Sequence, residues 1–288
     1  MISDKIKNDI LKMQEGELTE YHIYTAIAKG MKNDKNAQII AQIGSEERAH
    51  AKLWQKYTHV EVKPKMGKVR WYAFLSKVFG FTFAIKLMEN GEGDASIAYH
   101  EIAKEIPEAT KIAEDEDKHE KALIDLLDEE RLQYVGSMVL GLNDALVELT
   151  GTLAGLSFAL QNTKLIALSG LITGISATLS MMSSEYLSAR SDGNPHPFKS
   201  ASYTGIMYIV AVVLMTLPYL LLDDYRIALA CLLITVVLII LVFTYYVSVA
   251  KDLPFKKRFL EMVSISMSVA LVAFIIGIIV KQFLGIEV

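Results

Sequence analysis

Five long apolar segments fill the second half of this chain, and they constrain its fold more than any other feature. Each is long enough for the ~20 residues that a helix needs to cross a bilayer. Backbone amides inside a bilayer must find hydrogen-bond partners within their own segment, so helices are the expected form. The segments lie at about 135–160, 165–187, 202–222, 226–249 and 260–280. We therefore expect an all-α protein with five transmembrane helices in residues 135–288.

Charged side chains are concentrated ahead of these segments. Residues 1–134 hold 24 of the 33 acidic and 20 of the 29 basic side chains. This change in polarity predicts two domains, 1–134 and 135–288. The small net charge of −4 argues against a nucleic-acid partner. The one cysteine, Cys231, supports neither a disulfide framework nor a thiolate metal site.

The links between the apolar segments are short and differ in charge. The links at 188–201 and 250–258 carry six Lys and Arg residues, whereas those at 161–164 and 223–226 carry two. Loops rich in Lys and Arg stay in the cytoplasm, so we expect residues 1–134 inside the cell and the C-terminus outside. The charged N-terminus has no apolar signal region, which favours the same orientation.

The charged half contains a repeated pattern of metal-binding side chains, and its first copy lies in helices predicted at 4–32 and 34–57. In each copy a glutamate is followed after seven residues by a tyrosine, and later by a Glu-x-x-His pair. The pattern residues are Glu17, Tyr24, Glu47, His50, Glu92, Tyr99, Glu116 and His119. Residues i and i+3 share a helix face, so each pair presents a carboxylate and an imidazole together. Four helices that supply Glu, Glu-x-x-His, Glu and Glu-x-x-His form the di-metal site of a ferritin-like four-helix bundle.

Neighbouring carboxylates leave this ligand set open at several positions. Glu20, Glu46, Glu89 and Glu120 lie one to four residues from the preferred ligands. Of these, Glu20, Glu89 and Glu120 are alternates, and Glu92 is preferred to Glu89 because it keeps the spacing to Tyr99. Carboxylate and imidazole ligands suit iron or manganese, and zinc is also compatible with them. A solvated charged face would explain a single Glu-x-x-His pair, but it does not explain the repeat.

Residues 1–131 resemble the rubrerythrin and ferritin-like family in the stretches EGELTEYHIY, SEERAH and EDEDKHEKA. The resemblance implies a di-iron centre that oxidises ferrous iron or reduces peroxide. It implies as ligands Glu17, Glu47, His50, Glu92, Glu116 and His119. The chain departs from the family in the short stretch between Glu92 and Glu116. It also lacks a Cys-x-x-Cys electron-transfer module, which weighs against the usual peroxidase cycle.

Two of the apolar segments carry side chains that are costly at membrane depth. Asp144 and Glu148 are spaced i, i+4 in the first segment, and Met181 and Glu185 have the same spacing in the second. Ionisable groups inside a bilayer mark ion paths by default. A thioether beside a carboxylate suits a borderline-soft transition metal, and the carboxylates can take up protons as the metal leaves.

Small and aromatic residues give two further expectations. Glycines at 151, 155, 170 and 174 form small-residue faces, which predict a tight pairing of the first two spans.

Residues 68–88 interleave aromatic and basic side chains, as a helix in a membrane interface does. A connection packed on the helix bundle, or an oligomer contact, explains that stretch equally well.

Residues 135–288 resemble the vacuolar iron transporter family in VLGLNDALVELTGTLAG, LSMMSSEYLSA and FLEMVSISMSVALVAFIIG. The resemblance implies that a homodimer transports divalent iron or manganese in exchange for protons. It implies Asp144 and Met181 on the path and Glu185 near its cytoplasmic mouth. Plant-type members carry a long glutamate-rich insertion where this chain has only residues 188–201. The fused arrangement resembles membrane-bound ferritin proteins of prokaryotes, which export iron.

We therefore expect a prokaryotic cell-membrane exporter whose charged domain captures the metal, with ferroxidase activity of that domain left open. The alternative is a membrane-anchored di-iron oxidoreductase without transport. Polar groups inside the first two spans weigh against that alternative, because an anchor needs none. These ligand types do not decide between iron and manganese.

Overall fold

The computed structural model describes residues 2–31, 35–89, 99, 101–125 and 133–284. Regular secondary structure in these residues is entirely helical, so the all-α prediction is confirmed for this part of the chain. Five of the described helices are long and apolar enough to cross a membrane, as the sequence predicts. The chain divides into two compact units, Met1–Leu132 (unit one) and Gln133–Val288 (unit two).

Unit one contains five described helices, of which the first packs against the second and the third. They are α1 (Asp4–Gly30), α2 (Lys35–Thr58), α3 (Met66–Phe79), α4 (Phe81–Glu89) and α5 (Ala109–Asp125). The Ser3 hydroxyl accepts a hydrogen bond from the Ile6 amide and caps α1, which satisfies one of the unpaired amides at the helix start.

The aromatic and basic stretch at 68–88 falls into two helices with different surroundings. Gly80 separates α3 from α4 with a φ of 99°, a conformation that a residue with a Cβ rarely adopts. The short helix α4 buries Phe83 and Ile85, whereas α3 exposes Trp71 and Phe74. The α4 part of the stretch is thus packed within unit one, whereas the α3 part exposes aromatic rings.

An apolar cluster in unit one packs together residues of the helices that carry the predicted ligands. Its buried members are Ile10, Trp54, Tyr99, Ile102, Ile106, Ala109 and Ile112. Burying a large apolar side chain contributes roughly 1.5–3 kcal/mol, so this cluster fixes α1, α2 and α5 relative to one another. Trp54 and Tyr99 also have polar tips, and both tips reach Glu17.

Unit two consists of the five membrane-length helices. They are α6 (Val135–Leu160), α7 (Thr163–Ser191), α8 (Pro197–Leu221), α9 (Tyr225–Lys251) and α10 (Phe255–Leu284). The first of these, α6, contacts each of the other four. A central position for α6 explains why it is about half buried in a unit whose other helices expose more apolar surface.

The predicted pairing of spans one and two through their glycines is wrong for three of the four residues. Gly155, like Gly151, faces α10, where a Cβ on Gly277 would lie 2.7 Å from the Gly155 carbonyl oxygen. Gly174 faces α8, and Gly170 is the one that meets α6, through the Leu153 side chain. Small residues permit a close approach without specifying which helix approaches, and here α10 and α8 occupy those faces.

A close approach of α1 and α2 at Gly44 gives a stability prediction. A methyl group on Gly44 would lie 2.9 Å from the Tyr24 Cβ, and overpacking of this kind typically costs about 1–3 kcal/mol. We expect Gly44→Ala to lower the unfolding temperature of unit one by several degrees. Both tryptophans, Trp54 and Trp71, belong to unit one, so tryptophan fluorescence on heating the full-length protein reports on this unit.

The matched control is Gly30→Ala, because a Cβ at Gly30 would meet nothing within 4 Å. This variant should unfold at the wild-type temperature or slightly above it. Equal unfolding temperatures for the two variants would contradict the close approach at Gly44.

Candidate metal centre

Three helices of unit one bring four ligand side chains together. Glu17 comes from α1, Glu47 and His50 come from α2, and Glu116 comes from α5. Each offers one ligand atom, and these atoms all lie within 4.8 Å of one another. The first three residues are buried and Glu116 is partly buried, so the cluster is closed on one side and open on the other.

The second predicted histidine lies beside this cluster. The His119 Nδ1 is 3.0 Å from the Glu47 Oε1 and 3.6 Å from the Glu116 Oε2. The rings of His119 and His50 stack with 5.9 Å between their centroids. The structure therefore brings five of the six predicted ligands into one volume, and the two Glu-x-x-His pairs face each other.

The remaining predicted ligand, Glu92, lies outside the described residues, as does the side chain of the alternate Glu120. The alternate Glu20 lies one helical turn after Glu17 in α1. The alternate Glu89, at the end of α4, accepts a 2.6 Å hydrogen bond from the Tyr24 hydroxyl.

The two tyrosines of the repeat cross between its halves. Tyr99 of the second half donates to Glu17 of the first, and Tyr24 of the first half donates to Glu89 of the second. This reciprocity favours Glu89 over Glu92 as the counterpart of Glu17. The sequence argument for Glu92 rested on spacing along one chain segment, whereas the observed contact joins two helices.

Four atoms in the cluster lack a hydrogen-bond partner among the described residues. They are the Glu17 Oε2, the Glu47 Oε2, the His50 Nδ1 and the His119 Nδ1. Leaving a buried polar atom unsatisfied costs about 1–3 kcal/mol, so such atoms require an explanation. The His50 Nδ1 is 3.4 Å from the Glu17 Oε2 and 3.5 Å from the Glu47 Oε2. A cation held by Glu17, Glu47 and His50 would give buried atoms of these three side chains a partner, and this donor set suits iron, manganese or zinc.

Two aromatic side chains orient the Glu17 carboxylate. The Trp54 Nε1 donates to its Oε1 at 3.3 Å, and the Tyr99 hydroxyl donates to the same oxygen at 3.1 Å. The second oxygen is then directed into the cluster. Outer hydrogen bonds of this kind hold a ligand in its binding orientation before the metal arrives.

Outer carboxylates also contact the far nitrogen of each histidine. The His119 Nε2 is 2.6 Å from the Glu46 Oε2, and the His50 Nε2 is 3.6 Å from the Asp115 Oδ2. Each of these carboxylates comes from the residue directly before the glutamate of the opposite Glu-x-x-His pair. The sequence analysis noted Glu46 as a neighbouring carboxylate without giving it this role, and it did not identify Asp115. The signal that could have found both roles is the acidic residue ahead of each pair.

The proximity of these groups shifts their pKa values. Burial lowers the pKa of His50, but contacts with Glu116, Glu17 and Glu47 outweigh it and raise that pKa to about 12. For His119, burial lowers the pKa, but contacts with Glu116, Glu47 and Glu46 outweigh it and raise that pKa to about 10. Burial raises the pKa of Glu47, but its histidine contacts outweigh this and lower that pKa to about 2. Burial also raises the pKa of Glu17 well above its usual value.

The four predicted residues of the membrane path lie in two helices of unit two, Asp144 and Glu148 in α6 and Met181 and Glu185 in α7. Glu148 in α6 accepts a 2.8 Å hydrogen bond from the Tyr208 hydroxyl of α8. Glu185, near the end of α7, accepts a 2.7 Å hydrogen bond from the Ser137 hydroxyl at the start of α6. Asp144 and Met181 are partly buried. Among the described residues, the acidic side chains of unit two form no cluster like that of unit one.

One comparison with known proteins bears on unit two. A family model described as "VIT family" matches residues 135–195, which contain α6, α7 and all four predicted membrane residues. The match and the five membrane-length helices support a VIT-type membrane domain and define an integral membrane protein. The family suggests that this protein transports metal across the membrane. No curated protein matches the chain.

The cluster predicts how substitutions change metal binding by the full-length protein. Asp115→Asn should weaken binding about 10–100-fold, the usual effect of losing an outer carboxylate. Glu47→Gln should weaken it more, because Glu47 contacts both histidines. Titration with Co²⁺, followed by its visible absorption, measures both effects. Glu61→Gln, at an exposed position, is the control, and an equal loss in all three variants would contradict this site.

Proton release provides a second prediction. With pKa values of about 12 and 10, His50 and His119 are both cationic at neutral pH in the metal-free protein. A metal binds neutral imidazole, so binding should release protons, and apparent affinity should rise between about pH 6 and pH 8. Calorimetry in two buffers with different ionisation enthalpies measures the release. Heats that do not depend on the buffer would show that the histidines are not ligands.

Proposed function

We propose that this chain transports a divalent transition metal across a membrane, with ferrous iron as the first candidate and manganese as the second. The observation that carries the proposal is the family match over α6 and α7. Those two helices hold Asp144, Glu148, Met181 and Glu185, the costly polar and thioether groups of the membrane unit. The buried cluster in unit one gives the same chain a place to collect the metal.

Residues 1–134 are proposed to form a ferritin-like four-helix bundle with a di-metal centre. The support is the convergence of one glutamate and two Glu-x-x-His pairs from α1, α2 and α5. When iron is bound, a centre of this kind supplies oxidation of ferrous iron. The residues of the chain bind the ions, fix the carboxylate orientations and hold protons on His50 and His119 when no metal is bound.

The exposure of the ligands suggests the direction from which a metal reaches this centre. The Glu116 side chain is 32% exposed, whereas those of Glu17 and Glu47 are 4% and 2% exposed. Asp115, beside Glu116, is also partly exposed and carries a carboxylate. An incoming cation therefore meets the α5 carboxylates first and then the buried ones.

The proposed path in unit two uses Asp144 and Met181, with Glu185 at the cytoplasmic mouth. The hydrogen bond from Ser137 to Glu185 supports a structured mouth where α6 begins and α7 ends. Carboxylates that release a metal can bind protons, which supports exchange of metal for protons. The basic links at 188–201 and 250–258 support a cytoplasmic unit one and an external C-terminus in a prokaryotic cell membrane.

A homodimer is the proposed assembly. Glu148 lies in the middle of α6 and is exposed on the single chain. An ionisable side chain that faces lipid is costly, with estimates from about 2.5 kcal/mol upward at the bilayer centre. A second copy that covers this face would remove the cost.

Flux through reconstituted protein tests the proposal. We expect Fe²⁺ to enter liposomes that carry the full-length protein, with a coupled change in internal pH. Asp144→Ala should reduce the flux at least about 10-fold, because it removes an ionisable group from the path. Metal binding by unit one should be unchanged in this variant. The control is Asp192→Ala, which removes a carboxylate from the exposed link between α7 and α8.

The rival function is a membrane-anchored di-iron oxidoreductase. One observation favours it: the described part of the metal cluster lies entirely within unit one. It predicts oxygen or peroxide turnover that requires Glu47 and His119 but not Asp144. Absence of flux in protein that binds metal and turns over oxygen would support this rival, and normal flux in Asp144→Ala would refute the proposed path.

A further inference from the structure

The helix α3 carries an exposed apolar stripe on one face. Trp71 is 55% exposed, Phe74 is 54% exposed and Val78 is 47% exposed. Their spacing of three and four residues places them on one side of the helix. The Trp71 and Phe74 rings stack with 6.1 Å between centroids, so they form one aromatic surface. Val69 and Leu75 of the same helix are buried, which fixes how the stripe is presented.

Basic side chains border this stripe on both sides. Arg70 and Lys77 lie four residues before and three residues after Phe74 and form one edge, while Lys68 lies near the other. All three are exposed. The whole of α3 contains no acidic residue. The face therefore combines an apolar centre with cationic borders.

The charge of α3 and its neighbours contrasts with the rest of the first 134 residues. Residues 62–88 contain six Lys and Arg residues and no Asp or Glu. The remainder of residues 1–134 contains 24 acidic and 14 basic side chains. An anionic surface therefore repels most of this region and attracts one segment of it, which selects a single orientation.

We propose that the exposed face of α3 docks unit one onto the surface of an anionic lipid bilayer. Trp71 and Phe74 lie at the level of the headgroups, where aromatic side chains are favoured, and the bordering cations contact lipid phosphates. The bilayer is chosen over a protein partner because the chain carries its own membrane anchor. Five membrane-length helices in the same chain tether unit one to a bilayer, and such tethering raises the effective concentration of a weak surface contact.

The two tryptophans of the chain allow a direct test of this docking. Trp54 is fully buried and donates to Glu17, so it is shielded from lipid, whereas Trp71 is exposed. Full-length protein is placed in nanodiscs of phosphatidylglycerol with bromine on the upper part of the acyl chains. Subtracting the emission of Trp71→Phe isolates the Trp71 signal. We expect brominated lipid to remove most of this signal and to leave the Trp54 emission unchanged.

A charge-reversal variant tests the basic borders. Lys68→Glu, Arg70→Glu and Lys77→Glu together should abolish quenching of Trp71 and shift its emission toward that of a water-exposed indole. The matched control reverses three exposed lysines of α2, Lys35→Glu, Lys52→Glu and Lys56→Glu. The control should keep the quenching, and retained metal binding shows that unit one is folded in both variants.

The wild-type protein alone also distinguishes the outcomes. Quenching should be weaker in phosphatidylcholine nanodiscs and should fall with added salt, since the borders act through charge. Trp71 emission that is unquenched in phosphatidylglycerol overturns the proposal. Blue-shifted but unquenched emission would assign the face to a second protein chain, and quenching that is equal in both lipids would reject anionic recognition.

Discussion

Two buried carboxylates opposite two histidines dominate the structure of unit one. Glu17 and Glu47 are almost fully removed from solvent, and neither could stay ionised there without a cation nearby. Removing one partner from a buried ion pair typically costs about 3–5 kcal/mol, so the surrounding helices are constrained to keep the partners in place. The apolar cluster that joins α1, α2 and α5, the tyrosine that crosses from the second half and the outer carboxylates all help to meet this constraint.

Spacing within a single helix could be predicted from the sequence. The five spans follow from length and apolarity, and the Glu-x-x-His pairs follow from the shared face of residues i and i+3. Both properties are local, so no packing information is needed.

Contacts between helices could not be predicted in this way. The glycines of span one fit α10 rather than span two because a small residue permits an approach and does not select the helix that makes it. Glu46 and Asp115 reach the histidine of the opposite pair, which sequence separation conceals. The contact of Tyr24 with Glu89 joins two helices and could not be predicted from spacing along one helix. The preference for Glu92 stays a prediction, because that residue lies outside the described part of the chain. The exposure of one helix and the burial of the next, on either side of Gly80, was likewise a matter of packing.

The protonated histidines of the metal-free cluster have a consequence for its charge. Replacing one proton on each of His50 and His119 with a first divalent ion exchanges two positive charges for two, so this step adds no charge at these side chains. Such a charge-neutral exchange adds no repulsion within the cluster while the first ion binds. Occupancy by the first ion is then decided by ligand chemistry rather than by accumulated repulsion, whereas a second ion in the proposed di-metal centre adds positive charge.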